Sequence, residues 1–313
     1  MSYLARVKEQ HHTIYKVILK EGNLELTARI SGKLQFRLEH QWEYPVVGDW
    51  VQLDRNTETK GDAIITEVEQ RKTAMQRVEA GISGRTQIIA ANIDLLFICM
   101  SLNENYNLSR MERYLAAAYG CKITPVVVLT KADLCEDVPV YLERIHENNP
   151  EVEIITCTRE DEHSYDKIAE KITSNITAGF IGSSGVGKST IINFLVGEEK
   201  MKTQEIREED SRGRHTTTHR ELIQLANGGT VIDTPGMREF KLDESDVEDV
   251  FQEIQALAAG CRFSDCSHTK EPGCRVMEAL KEGKIDKKRY QNYLKLKQEE
   301  QYRKSIAFKS KLW

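Results

Sequence analysis

Apolar and polar positions along the chain change their period twice. Through roughly the first 70 residues, short apolar runs at 13–19, 24–30, 33–38, 49–53 and 63–68 are separated by turn formers such as Glu21-Gly22-Asn23, Ser31-Gly32 and Lys60-Gly61-Asp62. Runs of this length between such turns predict strands. Five short strands predict a small β-barrel, either of the oligonucleotide-binding (OB) type or SH3-like. From about residue 75 the pattern is different. Near-continuous apolar runs at 93–100, 125–129, 152–156 and 178–181 alternate with helical spacing over 108–120, 138–147, 165–172 and 188–196. That alternation predicts a parallel sheet covered by helices on both faces. Segments 221–225 and 230–232 flank Asn227-Gly228-Gly229, a hairpin signal. The highly charged stretch 198–214 predicts a loop that orders only with a ligand. Beyond Leu242 the pattern turns helical, first over 247–259 and then, after a cysteine cluster, over about 285–304.

Composition narrows this reading in a few places. A length of 313 residues exceeds one average domain. Hydrophobic residues make up 40% and charged residues 30%, a globular profile. No apolar run approaches the roughly 20 residues needed to span a bilayer. Met1-Ser2-Tyr3-Leu4-Ala5-Arg6 lacks a signal-peptide core. A cytoplasmic protein with no membrane partner is therefore expected, and nothing in the pattern requires more than a monomer. In a chain of this size and location, seven cysteines favour a metal site over disulfides. The net charge is −5, but residues 284–313 carry ten Lys/Arg against three Asp/Glu, a local +7 that leaves −12 on the rest. A basic end on an acidic body suits a nucleic-acid partner at that end, and equally suits a solvated basic helix. Residues 1–73 hold eleven basic and eleven acidic residues, so charge assigns the barrel no such role.

Three motifs carry the chemistry. Gly182-Ser183-Ser184-Gly185-Val186-Gly187-Lys188-Ser189, followed by Thr190, is a complete phosphate loop between an apolar strand and a helix. Its glycines let backbone N–H groups approach phosphates, and the helix start adds favourable partial charge. Lys188 should reach the β- and γ-phosphates, and the Ser189 hydroxyl should meet Mg²⁺. Asp233-Thr234-Pro235-Gly236 follows the strand 230–232. There Asp233 can hold Mg²⁺ through water, and the Gly236 N–H can sense the γ-phosphate. Thr130-Lys131-Ala132-Asp133 ends the strand 125–129. Asp133 can accept two hydrogen bonds from guanine, an arrangement adenine cannot offer, and the Lys131 stem can lie along the base. In ordinary GTPases the phosphate loop precedes the guanine motif. Here the guanine motif comes first, so the domain reads as circularly permuted.

Cys261, Cys266, His268 and Cys274 fall within one short stretch and supply the Cys₃His set of a closed, structural Zn²⁺ site. Cys99, Cys121, Cys135 and Cys157 lie in or beside apolar runs and read as core.

With these motifs and Val47-Gly48-Asp49-Trp50-Val51 in the barrel, nearly the whole chain resembles the circularly permuted, ribosome-dependent GTPases of bacterial small-subunit maturation, the RsgA family. The resemblance implies an OB-like barrel over 1–73, a permuted phosphate-loop GTPase domain over 74–242 and a zinc-binding helical domain over 243–313. Gly213-Arg214-His215-Thr216-Thr217-Thr218 resembles the family's switch I, with Thr217 or Thr218 meeting Mg²⁺. Many GTPases have a water-orienting Gln after D-x-x-G, but this chain has Met237, as the family does, and the resemblance points to His215 as the substitute. Two departures stand out. Thr130 replaces the usual Asn of the guanine motif, and no loop of Ser-Ala type is recognisable near Thr156-Cys157-Thr158. The function implied is hydrolysis of GTP to GDP and phosphate on the small ribosomal subunit, through contacts to its rRNA. The alternative is a nucleotide-gated RNA-binding module in which hydrolysis only resets binding. A metabolic or RNA-modifying enzyme is a weaker reading, since no second catalytic constellation is present.

Overall fold

The computed structural model describes residues 2–57, 61–78, 86–103, 106–197, 220–233 and 250–310. Strands β1 (Tyr3–His11), β2 (Ile14–Leu19), β3 (Glu25–Ile30), β4 (Trp50–Leu53) and β5 (Ala63–Val68) close a barrel in the order β1-β2-β3-β5-β4, with β4 returning to β1. Its interior is apolar, with Val7, Val17, Val51, Leu53 and Ile65 fully buried. The expected strand at 33–38 is instead helix α1 (Gly32–Arg37). Ser31 does not make a turn: its hydroxyl accepts the Leu34 N–H at 3.0 Å and caps the helix. The fifth strand is β1, which the sequence reading missed. A helix between β3 and β4 in a five-stranded barrel is the OB arrangement, not the SH3-like one.

Hairpin β6 (Ala74–Val78) and β7 (Thr86–Ala91) follows, also unforeseen. Next come β8 (Leu95–Ser101), α2 (Leu108–Gly120), β9 (Thr124–Thr130), α3 (Val138–Asn148), β10 (Glu153–Thr156), α4 (Asp166–Lys171), β11 (Thr177–Ile181) and α5 (Lys188–Val196). Hairpin β12 (Glu221–Gln224) and β13 (Thr230–Asp233) completes the sheet. Strands β10, β9, β8, β11 and β13 run parallel, as expected of near-continuous apolar runs. Successive residues of β8 serve opposite faces: Leu96, Ile98 and Met100 join one core, Phe97 and Cys99 the other. The first core takes in α2 and the C-terminal helices α6 (Gln252–Ala258), α7 (Arg275–Lys281) and α8 (Lys287–Ser310). The second takes in α4 and α5. Cys99, Cys121 and Cys157 are buried and Cys135 is half-buried, consistent with core roles.

The barrel does not hang on a free linker. Antiparallel β12 pairs with β1 at Glu9↔Glu221, so barrel and α/β sheet are continuous. The Val47–Val51 motif forms the joint. Gly48 has φ 92°, and a Cβ there would lie 2.2 Å from the Ala91 carbonyl oxygen, so only glycine lets the two backbones meet. Buried Asp49 accepts the Val46 N–H at 2.8 Å and the Arg71 Nε and Nη2 donors at 2.8 and 2.6 Å. Arg6 lies over the Trp50 ring and donates to the carbonyls of Gly48 and Asn92 and, at 2.8 Å, to the Thr177 hydroxyl at the start of β11.

Candidate nucleotide site and metal centre

Strand β11 delivers the phosphate loop, and α5 leaves it. Gly182 has φ 152° and sits against the Cys99 carbonyl, where a Cβ would come within 2.3 Å. Gly187 caps α5 in the left-handed region at φ 98°, so the turn hands directly into the helix N-terminus. Lys188 Nζ donates to the carbonyls of Gly182 at 2.8 Å and Ser183 at 2.7 Å, which holds its ammonium over the mouth of the loop. Ser189 and Thr190 follow in the first turn of α5. Asp233 ends β13. Burial pushes its carboxyl up to about 6, while the nearby Lys188 charge pulls it back and Glu221 adds to the rise.

The guanine motif is locked to this loop. The Thr130 hydroxyl donates to the Val186 carbonyl at 2.6 Å, which ties residues 130–133 to the phosphate loop. Lys131 turns the chain in the left-handed region at φ 56°, and Asp133 stands exposed beyond it. The loop after β10 lies alongside: the Ala132 N–H donates to the Cys157 carbonyl at 3.3 Å, and the Thr158 hydroxyl donates to the Asp133 carboxylate. Thr158 is in turn fixed by Ser164, which accepts its N–H and donates to its carbonyl, both at 3.0 Å. No recognisable motif marked Thr158. The only available signal was its position at the end of the strand beside the guanine motif. His215, Thr217, Thr218, Gly236 and Met237 lie outside the described residues, as does 198–214.

The four cluster residues converge as the spacing implied. Their ligand atoms all lie within 4.8 Å of one another. Cys261 Sγ is 3.9 Å from Cys274 Sγ, and each is 3.6 Å from His268 Nδ1. A tetrahedron with metal–sulfur bonds of about 2.3 Å has edges of about 3.8 Å, so the donor set fits a closed metal site. His268 adopts φ 62°, its carbonyl accepts the Tyr290 hydroxyl at 2.6 Å, and burial lowers its imidazole toward the neutral form that binds metal. Tyr290 belongs to α8, so the cluster is pinned to the long helix.

Helix α8 is in turn bolted to α2. Arg289 donates to Glu112 of α2 and to Glu253 of α6, and at 2.9 Å to the carbonyls of both Asn148 and Val250. Its guanidinium lies 4.8 Å from the centre of the Phe251 ring. Asn292 donates to the other Glu112 oxygen at 2.6 Å. Sequence reading named neither residue, because a buried Arg in a basic helix looks like its exposed neighbours.

Comparison with known proteins bears directly on these features. The profile of the RsgA GTPase family matches residues 68–243. The small ribosomal subunit biogenesis GTPase RsgA 2 of Lactiplantibacillus plantarum is 44% identical over 301 residues, covering 96% of this chain and 84% of that protein. The small ribosomal subunit biogenesis GTPase RsgA of Methanosarcina acetivorans is 39% identical over 312 residues, covering 99% and 81%. Among solved structures, YjeQ from Thermotoga maritima superposes with a TM-score of 0.70 at 24% identity, covering 96% of this chain and 99% of that one. YloQ, described as a circularly permuted GTPase, superposes with a TM-score of 0.68 at 22% identity, covering 97% and 96%. At these identities the two structures speak for the fold.

Proposed function

The chain belongs to the RsgA GTPase family and is a GTP hydrolase, and on that premise we propose that it acts in late maturation of the small ribosomal subunit, which stimulates its hydrolysis. Residues 182–190 hold the phosphates, with Lys188 at the β- and γ-positions. Thr130, Lys131, Ala132 and Asp133 select guanine. Ser189, Asp233 and either Thr217 or Thr218 hold Mg²⁺, and the Gly236 N–H reads the γ-phosphate. Mg²⁺ held there would supply positive charge against that developing on the phosphates. His215 takes the water-placing role that Met237 cannot fill. One Zn²⁺ sits in the Cys261, Cys266, His268 and Cys274 set as a structural ion. The working divisions are 1–73, 74–242 and 243–313, with the barrel and the basic C-terminal part gripping rRNA. The protein works as a cytoplasmic monomer. No helix among the described residues is long and apolar enough to cross a membrane.

The observation that carries this reading is the shared sheet. The β12–β13 hairpin lies in sequence between Thr217 and Thr218 on one side and Gly236 on the other, ends in Asp233, and is bonded through β12 to β1 of the barrel. A γ-phosphate met by Thr217 or Thr218 and by Gly236 would be felt at the barrel edge through this pairing, and a partner gripping the barrel would act back on the nucleotide site. The test is GTP hydrolysis by the purified protein alone, with small subunits, and with large subunits as control. Strong stimulation by small subunits alone is expected, and no stimulation removes the ribosomal assignment.

A further inference from the structure

Arg110 stands beside the phosphate loop in the first turn of α2, and none of the nucleotide motifs contains it. Asn107 caps that turn, its side chain accepting the Arg110 N–H at 2.9 Å. The Arg110 guanidinium donates to the Ser183 hydroxyl. Ser183 is the residue whose carbonyl, with that of Gly182, accepts Lys188 Nζ. A chain of contacts therefore runs from α2 through Ser183 to the lysine ammonium. The helix behind it is immobilised by Glu112, two residues on, which Arg289 and Asn292 hold. Gly182 and Gly185 give this loop backbone freedom that a catalytic lysine cannot tolerate unchecked. A rigid guanidinium on a clamped helix supplies the check.

We infer that Arg110 is a positioning residue for GTP hydrolysis: it fixes Ser183, and Ser183 aims Lys188. This rests on the reading of residues 182–189 as the phosphate loop. A lysine that must follow charge onto the γ-phosphate during the reaction is more sensitive to misaiming than one that only holds ground-state phosphate. Loss of Arg110 therefore lowers kcat more than it raises KM.

The experiment compares full-length wild type with R110A, S183A, R110A/S183A and K188A. Steady-state GTP hydrolysis is measured per site, with sites counted by stoichiometric binding of a fluorescent GDP analogue, so unfolded protein does not enter the rate. R110A and S183A should each lower kcat on the order of tenfold, with KM moving less than about threefold. Because both remove one contact, the double variant should be no slower than the slower single. A wild-type rate in S183A or in R110A, or effects that multiply in the double variant, would overturn the inference while leaving the loop reading in place. Near-wild-type hydrolysis in K188A would instead sink the loop reading itself, and this inference with it.

Discussion

Arg289→Ala should detach the C-terminal helices from the GTPase core without disturbing the barrel. The Arg289 side chain is 4% exposed and that of Glu112 is 1% exposed. Truncation removes the donor to two carboxylates and two carbonyls and leaves Glu112 buried with only the Asn292 amide. Breaking a buried pair from one side costs about 3–5 kcal/mol, because a charge is left without its counter-charge. Hydrogen exchange resolves such a loss by region. Amides of α2 and α8 should exchange on the order of 150- to 5,000-fold faster at fixed pH, and those of β2 and β3 should be unchanged. Burial raises the Glu112 carboxyl above its usual range, while Arg289 and Asn292 pull it back. In the variant the Arg289 contribution is gone and the folded-state pKa rises further. A carboxyl whose folded pKa lies above its unfolded value loses stability as pH rises through that window. The deficit should therefore be larger at pH 8 than at pH 5, once intrinsic exchange rates are divided out. Replacing both partners, as Glu112→Leu with Arg289→Met, should restore part of the protection, since the buried Glu112 charge is gone while the Asn148 and Val250 carbonyls and the Asn292 amide still lack their partners. Unchanged exchange in α2 and α8 of R289A, or equal acceleration in the barrel, would mean that Arg289 does not hold the C-terminal helices to the core.

Asp133→Asn should shift preference from guanine toward xanthine nucleotides, since an acceptor pair becomes an amide; calorimetry showing that the wild type binds ATP as well as GTP would reject the guanine assignment. His215→Ala should remove most of the small-subunit-stimulated rate while sparing GTP affinity and the slow intrinsic rate, and undiminished stimulation would place the water-orienting group elsewhere. The natively purified protein should carry close to one zinc per chain. Chelation should raise exchange in α7 and the start of α8 before it touches β8 or β9, because structural zinc contributes roughly 10–16 kcal/mol in small peptide sites; a zinc-free native sample would contradict the metal assignment.

Much of the fold was legible because its signals are local. The helices over 108–120 and 188–196 are bounded in the structure as their spacing implied, and the parallel strands announced themselves as continuous apolar runs. The phosphate loop, the guanine motif and the metal set are contiguous in sequence, so residue order alone assembled them. What was missed depends on partners far along the chain. Tyr3–His11 carries charged residues at several positions and reads as a strand only once β2, β4 and β12 flank it. Segment 33–38 alternates like a strand, but Ser31 capping decided for a helix. Thr158, Arg110 and Arg289 act through residues 25, 73 and 177 positions away, and no periodicity carries contacts of that range.

On the proposed function, nucleotide state would be read through the β12–β1 sheet and presented to the small ribosomal subunit. The most direct test is the dissociation constant of the full-length protein for purified small subunits, measured with a non-hydrolysable GTP analogue and with GDP under identical magnesium and salt. Markedly tighter binding is expected with the GTP analogue, and no comparable difference for large subunits. Equal affinity in the two nucleotide states would contradict it.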